Sequence, residues 1–392
     1  LGGLFYMADW IGIGRRARRC YGFDEVALAP GNVTVNPNEV DTTFQIGDLK
    51  FSVPILAAAM DGVVDVNFAV AMGKLGGIAV LNLDGIQTRY DNPSKVLDQI
   101  AQATPDEATK LVQSVYLTPV KDKLIEKRVH EIKKHKVPAA VSCIPQNAER
   151  FHKIAQKAGC DIFIVQSTVA AVRHIATEYK ILNLEKFCND SRIPIILGNC
   201  VTYDVALELM EIGADGLLVG IGPGAACTTR GVLGIGVPQI TTTVDTGAAR
   251  DYYFKRKGKY VPIITDGGMR IGGEICKAFA AGADAVMVGS AFAKAQEAPG
   301  RGYHWGMATS HANLPRGTRI KVGTSGTLKE ILMGPAKVDD GSQNLLGALK
   351  TSMGSLGARN IAEMQDVEII IAGSFQTEGK VFQVGQRVGM GK

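Results

Sequence analysis

Among seven cysteines in this sequence, Cys227 stands in a setting that none of the others shares. It sits within Gly220-Ile-Gly-Pro-Gly-Ala-Ala-Cys-Thr-Thr-Arg-Gly-Val-Leu-Gly-Ile-Gly-Val-Pro-Gln239, directly after the apolar run 216–219, with glycine at 220, 222, 224, 231, 234 and 236. Glycine loses more conformational entropy on folding than any other residue, so such density marks backbone that takes unusual dihedrals or closely approaches a ligand. Two threonines and Arg230 flank the thiol, a polar and cationic setting that favours the nucleophilic thiolate. Cys227 is therefore the candidate covalent nucleophile; a surface loop with an incidental cysteine is the competing reading.

Two further corners carry chemistry. Asp266-Gly-Gly268 and Gly289-Ser290 each terminate a short apolar run. Unhindered N–H groups of Gly267, Gly268, Gly289 and Ser290 suit a phosphate, while a carboxylate at Asp266 suits a ribose diol, whose hydroxyls donate. Taken alone the corners are equally well read as tight turns; with Cys227 on the same rim, a bound nucleotide is the preferred reading. The six histidines show neither HExxH nor close Cys/His spacing, so a metal held by protein side chains is not expected. Asp339-Asp340 reads as a capping or turn pair.

Elements that must position these residues follow one pattern, a short apolar β-rich run followed by a helical periodicity. The strands are expected at 54–58, 77–81, 139–143, 161–165, 194–197, 216–219, 262–265 and 285–288, and helices at 65–75, 121–134, 147–158, 168–176, 201–212 and 273–281, with others after Asp91 and Pro238. Three joints repeat one another: Ala158-Gly-Cys-Asp161, Ile212-Gly-Ala-Asp215 and Ala281-Gly-Ala-Asp284. Glycine ends a helix and a turn residue starts the next strand, as repeated βα units require. Eight units predict an α/β fold, a (β/α)8 TIM barrel, with a doubly wound sheet as the alternative; no Gly-x-Gly-x-x-Gly opens a helix after the first strand, which weakens the latter. After the eighth strand comes a Gly/Pro-broken excursion through 304–319, a helix at 343–353 and a strand-like tail at 375–381.

Composition bounds the rest. The chain has 392 residues, 46% hydrophobic and 21% charged, with a net charge of +5. Residues 1–20 read as a leftover segment ahead of Met7 plus a basic arm, and 21–392 as a single catalytic domain. The run Arg15-Arg-Ala-Arg-Arg19 lacks interleaved aromatics, so a solvated arm or subunit contact is expected rather than nucleic-acid binding. Widely spaced cysteines without CxxC pairs read as reduced thiols of a cytoplasmic protein, and no apolar run reaches membrane-spanning length.

The motifs now on the page resemble the inosine-5′-monophosphate (IMP) dehydrogenase and GMP reductase family over nearly the whole chain. The carriers are Phe23-Asp-Glu-Val-Ala-Leu-Ala-Pro30, Met60-Asp61, Gly222-Pro-Gly-Ala-Ala-Cys-Thr-Thr-Arg230 with Gly236-Val-Pro-Gln239, Asp266-Gly-Gly268, and Val288-Gly-Ser290 followed by Glu297-Ala-Pro-Gly300. The resemblance implies a homotetramer, with an octamer as the larger alternative, in which Cys227 attacks C2 of IMP, hydride passes to NAD and the thioimidate is hydrolysed to xanthosine monophosphate (XMP). It implies that Thr229 lies beside the reacting centre and Arg316 activates the hydrolytic water. It places Asp266 on the ribose, Gly267, Gly268, Gly289 and Ser290 on the phosphate, and Met60, Trp305, Gly306, Met307 and Gly323 along the base. Gln166, Ser167, Thr168, Gly220 and Gly222 would face the dinucleotide. Carbonyls of Gly222, Gly224 and Cys227 would hold K⁺, closed by Glu378, Gly379 and Lys380 of a neighbouring subunit.

The departures from the family pattern are specific. The interval from Asn82 to Pro138 is too short for the CBS pair that dehydrogenases insert after the second strand. Ala58 and Ala225 stand where serines are expected, Gln166 where an aspartate is, and Gly317 where the flap tyrosine is. No acid follows Gly306-Met307, which favours a dehydrogenase over a reductase. A catalytically silent purine-binding barrel is the third reading.

Overall fold

Runs such as Ile78-Ala-Val-Leu-Asn82 and Ile195-Ile-Leu-Gly-Asn-Cys200 show no polar alternation and are buried throughout, which a strand tolerates only when both sheet faces are covered. The computed structural model, which describes residues 8–177, 181–306, 317–373 and 379–389, shows how this is met. Eight parallel strands close into a barrel: β1 (Ile55–Ala57), β2 (Ile78–Asn82), β3 (Ala140–Cys143), β4 (Ile162–Gln166), β5 (Ile195–Cys200), β6 (Gly216–Val219), β7 (Ile263–Asp266) and β8 (Ala285–Val288). Pairing of Val286, Met287 and Val288 with Ile55, Leu56 and Ala57 completes the ring. The barrel expected from the eight βα units is the fold observed.

Helices cover the outside: α1 (Val66–Lys74), α2 (Asp122–Lys133), α3 (Pro145–Lys157), α4 (Leu184–Asp190), α5 (Tyr203–Glu211), α6 (Gln239–Lys257), α7 (Gly272–Ala280) and α8 (Leu345–Ser355). The three repeated joints have one construction. Gly159, Gly213 and Gly282 each take positive φ, and the aspartate two residues on accepts the N–H that opens the neighbouring strand segment: Asp161 from Ala139, Asp215 from Ile195 and Asp284 from Ile263. Each aspartate also meets a cation, Lys133, Lys259 and Arg250 respectively. These joints fix where each strand begins, and thereby where its carboxyl end emerges.

Two local expectations are corrected. Residues 168–176 form no helix; Ala170 and Val172 pack against the core while Val169 and Ile175 are exposed, and the segment is held across the barrel rim as Ser167 and Ala170 donate N–H bonds to the carbonyls of Gly198 and Asn199. The barrel helix at this point is α4. In the tail, Lys380–Gln386 is helical rather than strand-like; residues 375–378 of that expectation lie outside the described residues. The basic run Arg15–Arg18 pairs with Ala8–Gly12 as a hairpin, its first three residues exposed and Arg18 bonded to Asp245 of α6 at 2.6 Å.

The joint at Asp284 is the most deeply buried of the three, its side chain 10% exposed and that of Arg250 4%, against 28% and 42% for Asp215 and Lys259. Removing one partner of a buried pair leaves an uncompensated charge, so Asp284→Ala should lower the unfolding free energy by about 3–5 kcal/mol. Asp215→Ala, with an exposed partner, should cost about 1–2 kcal/mol, mostly the lost strand-start hydrogen bond. Denaturant melts of both variants check the order, and equal losses would contradict it.

Candidate active site

At the carboxyl ends of the strands a cavity of about 550 Å³ opens, the position at which barrel enzymes place their chemistry. Its wall brings together Met60, Gln166, Ser167, Thr168, Gly220, Gly222, Gly224, Cys227, Thr229, Asp266, Gly267, Gly268, Gly289, Ser290, Trp305 and Gly306. Residues singled out over an interval of more than half the chain thus face one space. Gly323 is not on this wall; it backs onto Gly302, to which it and Val322 donate N–H bonds. Gly379 and Lys380 begin the C-terminal helix and do not line the cavity either. Met307, Arg316 and Glu378 lie outside the described residues.

Cys227 is a free, exposed thiol, whereas Cys143, Cys160, Cys188, Cys200 and Cys276 are buried. Burial pushes Cys160, Cys188 and Cys200 up to about 12, which leaves them protonated and inert as nucleophiles. The Cys227 Sγ donates to Thr229 Oγ1 at 3.2 Å, so the hydroxyl orients the thiol and can relay its proton by passing its own to a further acceptor. The loop is pinned from inside: Arg230 Nε donates to the Ile221 carbonyl and Nη2 to that of Val237, at 3.3 and 2.8 Å. A Cβ at Gly222 or Gly236 would stand 2.6 Å from the Arg230 side chain. Those two glycines let the arginine thread the loop. Gly224 caps the turn, its carbonyl accepting the Cys227 N–H at 3.0 Å.

On β7, Asp266 ends the strand and turns into Gly267 and Gly268, both at φ +83, a left-handed pair that only glycine adopts without strain. The carboxylate Oδ2 accepts from Asn199 Nδ2 at 2.8 Å and Gln166 Nε2 at 3.2 Å. Gln166 is thus committed to bracing Asp266, and its Oε1 accepts from Ser142 Oγ at 3.3 Å. Among the described residues no cation pairs with Asp266, and desolvation raises its pKa to about 6 against the opposing bond from Asn199. Below it, Gln239 Nε2 bridges the carbonyls of Val219 and Asp266 at 2.9 and 3.0 Å, locking the ends of β6 and β7 together.

On the opposite side, Met60 packs so tightly over Gly289 that a Cβ there would stand 2.7 Å from its sulfur. Ser290 Oγ shares a 3.0 Å hydrogen bond with His304 Nε2. Sequence reasoning left His304 and Asn199 out of the site. Asn199 stands at a strand end where chemistry was expected; His304, a lone histidine without ligand spacing, carries no such signal. His304 is buried, its pKa lowered to about 4 by desolvation, and its Nδ1 has no hydrogen-bond partner. It is neutral at physiological pH. Among the described residues no group of three or more His, Cys, Asp or Glu side chains is arranged to hold a metal, so any cation here would rest on backbone carbonyls.

Of the four N–H groups expected to meet a phosphate, that of Gly267 is committed to the Met287 carbonyl at 3.1 Å, part of the β7–β8 pairing, which leaves Gly268, Gly289 and Ser290 for an anion; in the same cavity Asp266 is held as a buried carboxylate without a cation among the described residues. An ionised carboxylate whose folded pKa is raised from 3.8 to about 6 destabilises the fold above that value and has no effect below 3.8. The penalty at neutral pH is on the order of 3 kcal/mol, reduced where cavity water screens the charge. Asp266→Asn should therefore raise the melting temperature at pH 7.5, leave it unchanged below pH 4, and weaken nucleotide binding. Melting curves at both pH values with a nucleotide titration check this; a variant destabilised at pH 7.5 would contradict it.

Comparison with known proteins places this geometry in a lineage. The family model described as the IMP dehydrogenase / GMP reductase domain matches residues 20–381. A Mycobacterium tuberculosis protein named an uncharacterized oxidoreductase is 36% identical over 372 residues, spanning 93% of this chain and 99% of that one. The inosine-5′-monophosphate dehydrogenase of Borreliella burgdorferi is 32% identical, spanning 88% and 91%. A crystal structure of an IMP dehydrogenase/GMP reductase-like protein from Corynebacterium glutamicum superimposes with a TM-score of 0.88 at 32% identity, over 93% of this chain and 98% of that one. With the family model spanning residues 20–381 and relatives above 30% identity over most of their length, this chain belongs to the IMP dehydrogenase / GMP reductase family.

Proposed function

We propose that the chain oxidises IMP to XMP with NAD, through a covalent intermediate on Cys227, as a step of guanine nucleotide formation. The observation that carries this reading is the exposed Cys227 thiol, bonded to Thr229 and facing the same cavity as Asp266 and the Gly267, Gly268, Gly289 and Ser290 corners. Asp266 accepts from the ribose hydroxyls, and the N–H groups of Gly268, Gly289 and Ser290 receive the phosphate, that of Gly267 being bonded to Met287. That fixes the purine over the cysteine loop, and positioning of this kind supplies much of the rate.

The chemistry follows from the groups in place. The Cys227 thiol passes its proton by way of the Thr229 hydroxyl to N3 of the base as the sulfur bonds to C2; loss of hydride from C2, with the N3 proton going to solvent, then leaves a thioimidate. NAD, when bound, supplies the acceptor for that hydride, with Ser167, Thr168, Gly220 and Gly222 on the wall that would hold it. Gln166 enters this side through Asp266 rather than as a free side chain. Water adds to C2, the sulfur leaves, and XMP results. Arg316 is our proposal for the group that activates this water. It rests on the family resemblance and on the engagement of two wall groups that could otherwise act as bases: Asp266 accepts from Asn199 and Gln166, and His304 is bonded to Ser290.

A carbonyl-held K⁺ at Gly222, Gly224 and Cys227, closed by Glu378, Gly379 and Lys380 of an adjoining copy in a homotetramer, remains part of the proposal. Arg230 already supplies a fixed positive charge to the loop carbonyls at Ile221 and Val237, so the demand on a free cation is reduced. Rates in K⁺, Na⁺ and a bulky organic cation should differ by about tenfold or less, within the usual worth of one carbonyl-cation contact. Loss of all activity without K⁺ would show that Arg230 does not share the task.

Purified protein with IMP and NAD should form XMP and NADH, and Cys227→Ala should retain IMP binding while losing at least a thousandfold in turnover, as removal of a covalent nucleophile does. Turnover only of GMP with NADPH would make the chain a reductase of GMP. Turnover only of XMP with a reduced nicotinamide would keep the cysteine chemistry and reverse its direction. IMP binding without turnover of any pair would leave a nucleotide-binding barrel.

A further inference from the structure

Between β2 and β3 the chain makes three helices before it reaches α2: Ile86–Arg89, Pro93–Gln102 and Pro105–Val115. They do not simply span the gap. Ile86, Val96, Leu97, Ile100, Val112, Val115 and Tyr116 form a small apolar core of their own, and among the described residues its one buried member from elsewhere in the chain is Trp305. Trp305 and Gly306 form part of the cavity wall on the far side of that core.

Inside this core runs a chain of hydrogen bonds. Trp305 Nε1 donates to Tyr116 Oη at 2.9 Å, and Tyr116 Oη donates to Asp61 Oδ2 at 2.5 Å. Asp61 Oδ1 accepts the Ile86 N–H at 2.9 Å, and Asn82 Nδ2 reaches Oδ2 at 3.4 Å. All three principals are buried, at 1, 3 and 2% exposure for Asp61, Tyr116 and Trp305. Asp61 directly follows Met60, which lines the cavity from the end of β1. The chain therefore ties two parts of the cavity wall that are remote in sequence, and its middle member touches neither the cavity nor any reacting group. The same insert grips the excursion again on both sides of Trp305: Arg301 bonds to Asp98, and Arg319 to the carbonyls of Ile100 and Ala101.

We infer that Tyr116 is a positioning residue for the purine base: through the buried Asp61, Tyr116 and Trp305 chain it holds Trp305, and with it Gly306, at the cavity wall against which the base lies. The inference rests on the nucleotide reading of the cavity. Physical reasons favour a role over incidental packing. A phenylalanine at 116 would fill the same core, yet a tyrosine hydroxyl is retained where it must be fully satisfied, and it is used as a donor to a carboxylate and an acceptor from an indole, a directional link that apolar packing does not provide. An indole fixed by its N–H keeps one ring orientation, whereas an indole held by apolar contacts alone can slide.

The two tryptophans, Trp10 and Trp305, make the test optical. Trp10 is exposed, so in a Trp10→Phe background the emission reports Trp305. IMP is titrated against this protein and against the same protein carrying Tyr116→Phe, Trp305→Phe or both, the last two followed by calorimetry. Tyr116→Phe should shift the Trp305 emission and weaken IMP about tenfold, the worth of one charge-assisted hydrogen-bond link. Trp305→Phe should weaken it similarly, and the double variant should bind as Trp305→Phe alone, because Tyr116 acts only through the indole. Additive losses, or unchanged affinity and emission in Tyr116→Phe, would overturn the inference. Should Tyr116→Phe fail to fold, Trp305→Phe carries the test, and unchanged IMP affinity in that variant overturns it. Failure of the Trp10→Phe protein itself to bind IMP, with a normal melting temperature, would instead reject the nucleotide reading.

Discussion

Pairing of Ile55, Leu56 and Ala57 with Val286, Met287 and Val288 joins the first barrel strand to the last, and the rest of the molecule depends on it. Open at that seam, the sheet would expose two edges and separate Met60 from Gly289. Closed, it sets the Met60 sulfur against a residue that has no room for a side chain, and it gathers eight carboxyl ends around one cavity. The three glycine-aspartate joints serve the same closure from below. Each aspartate holds the first N–H of a strand, so strand starts are in register before their ends meet.

Above the seam, the site is built from groups that water would otherwise solvate. Asp266 and Asp61 are both held with pKa values of about 6 by desolvation, and neither has a cation as its main partner. Asp266 is braced by two carboxamides, Asp61 by a tyrosine, a backbone N–H and an asparagine. Carboxamide and hydroxyl donors orient a carboxylate without neutralising it. Asp266 can then offer its charge to a ligand, and Asp61 can set the orientation of a neighbour. Cys227 stands in contrast, exposed on a loop whose shape is enforced by the threaded Arg230 rather than by burial.

The barrel was legible because its signals are local. Short apolar runs, glycine at helix ends and the repeated Gly-x-Asp joints need no tertiary knowledge, and the carboxyl-end rule then converts strand ends into a site containing Cys227, Asp266 and Gly289. What could not be read depends on contacts across the chain. Residues 168–176 have helical spacing, yet the bonds that Ser167 and Ala170 donate to the Gly198 and Asn199 carbonyls at the rim decide their path. Tyr116 is 189 residues from Trp305 and 55 from Asp61, so nothing in the run Ser114-Val-Tyr116 indicates a link to the cavity. The family resemblance set Gln166 toward the dinucleotide; its carboxamide is engaged by Asp266, a contact set by strand order. His304 is similar, a histidine whose significance comes from its bond to Ser290.

The central claim is that Cys227 forms the bond that carries the purine between oxidation and hydrolysis. Protein mixed with IMP and NAD, quenched in acid within the first turnovers and digested, provides the most direct measurement by mass spectrometry of the cysteine peptides. The account predicts a purine nucleotide attached to the peptide bearing Cys227 and to none of the other six cysteines, with its amount decaying as XMP accumulates. Rapid XMP formation with Cys227 unmodified at every time point, or nucleotide on Cys20 instead, would contradict it.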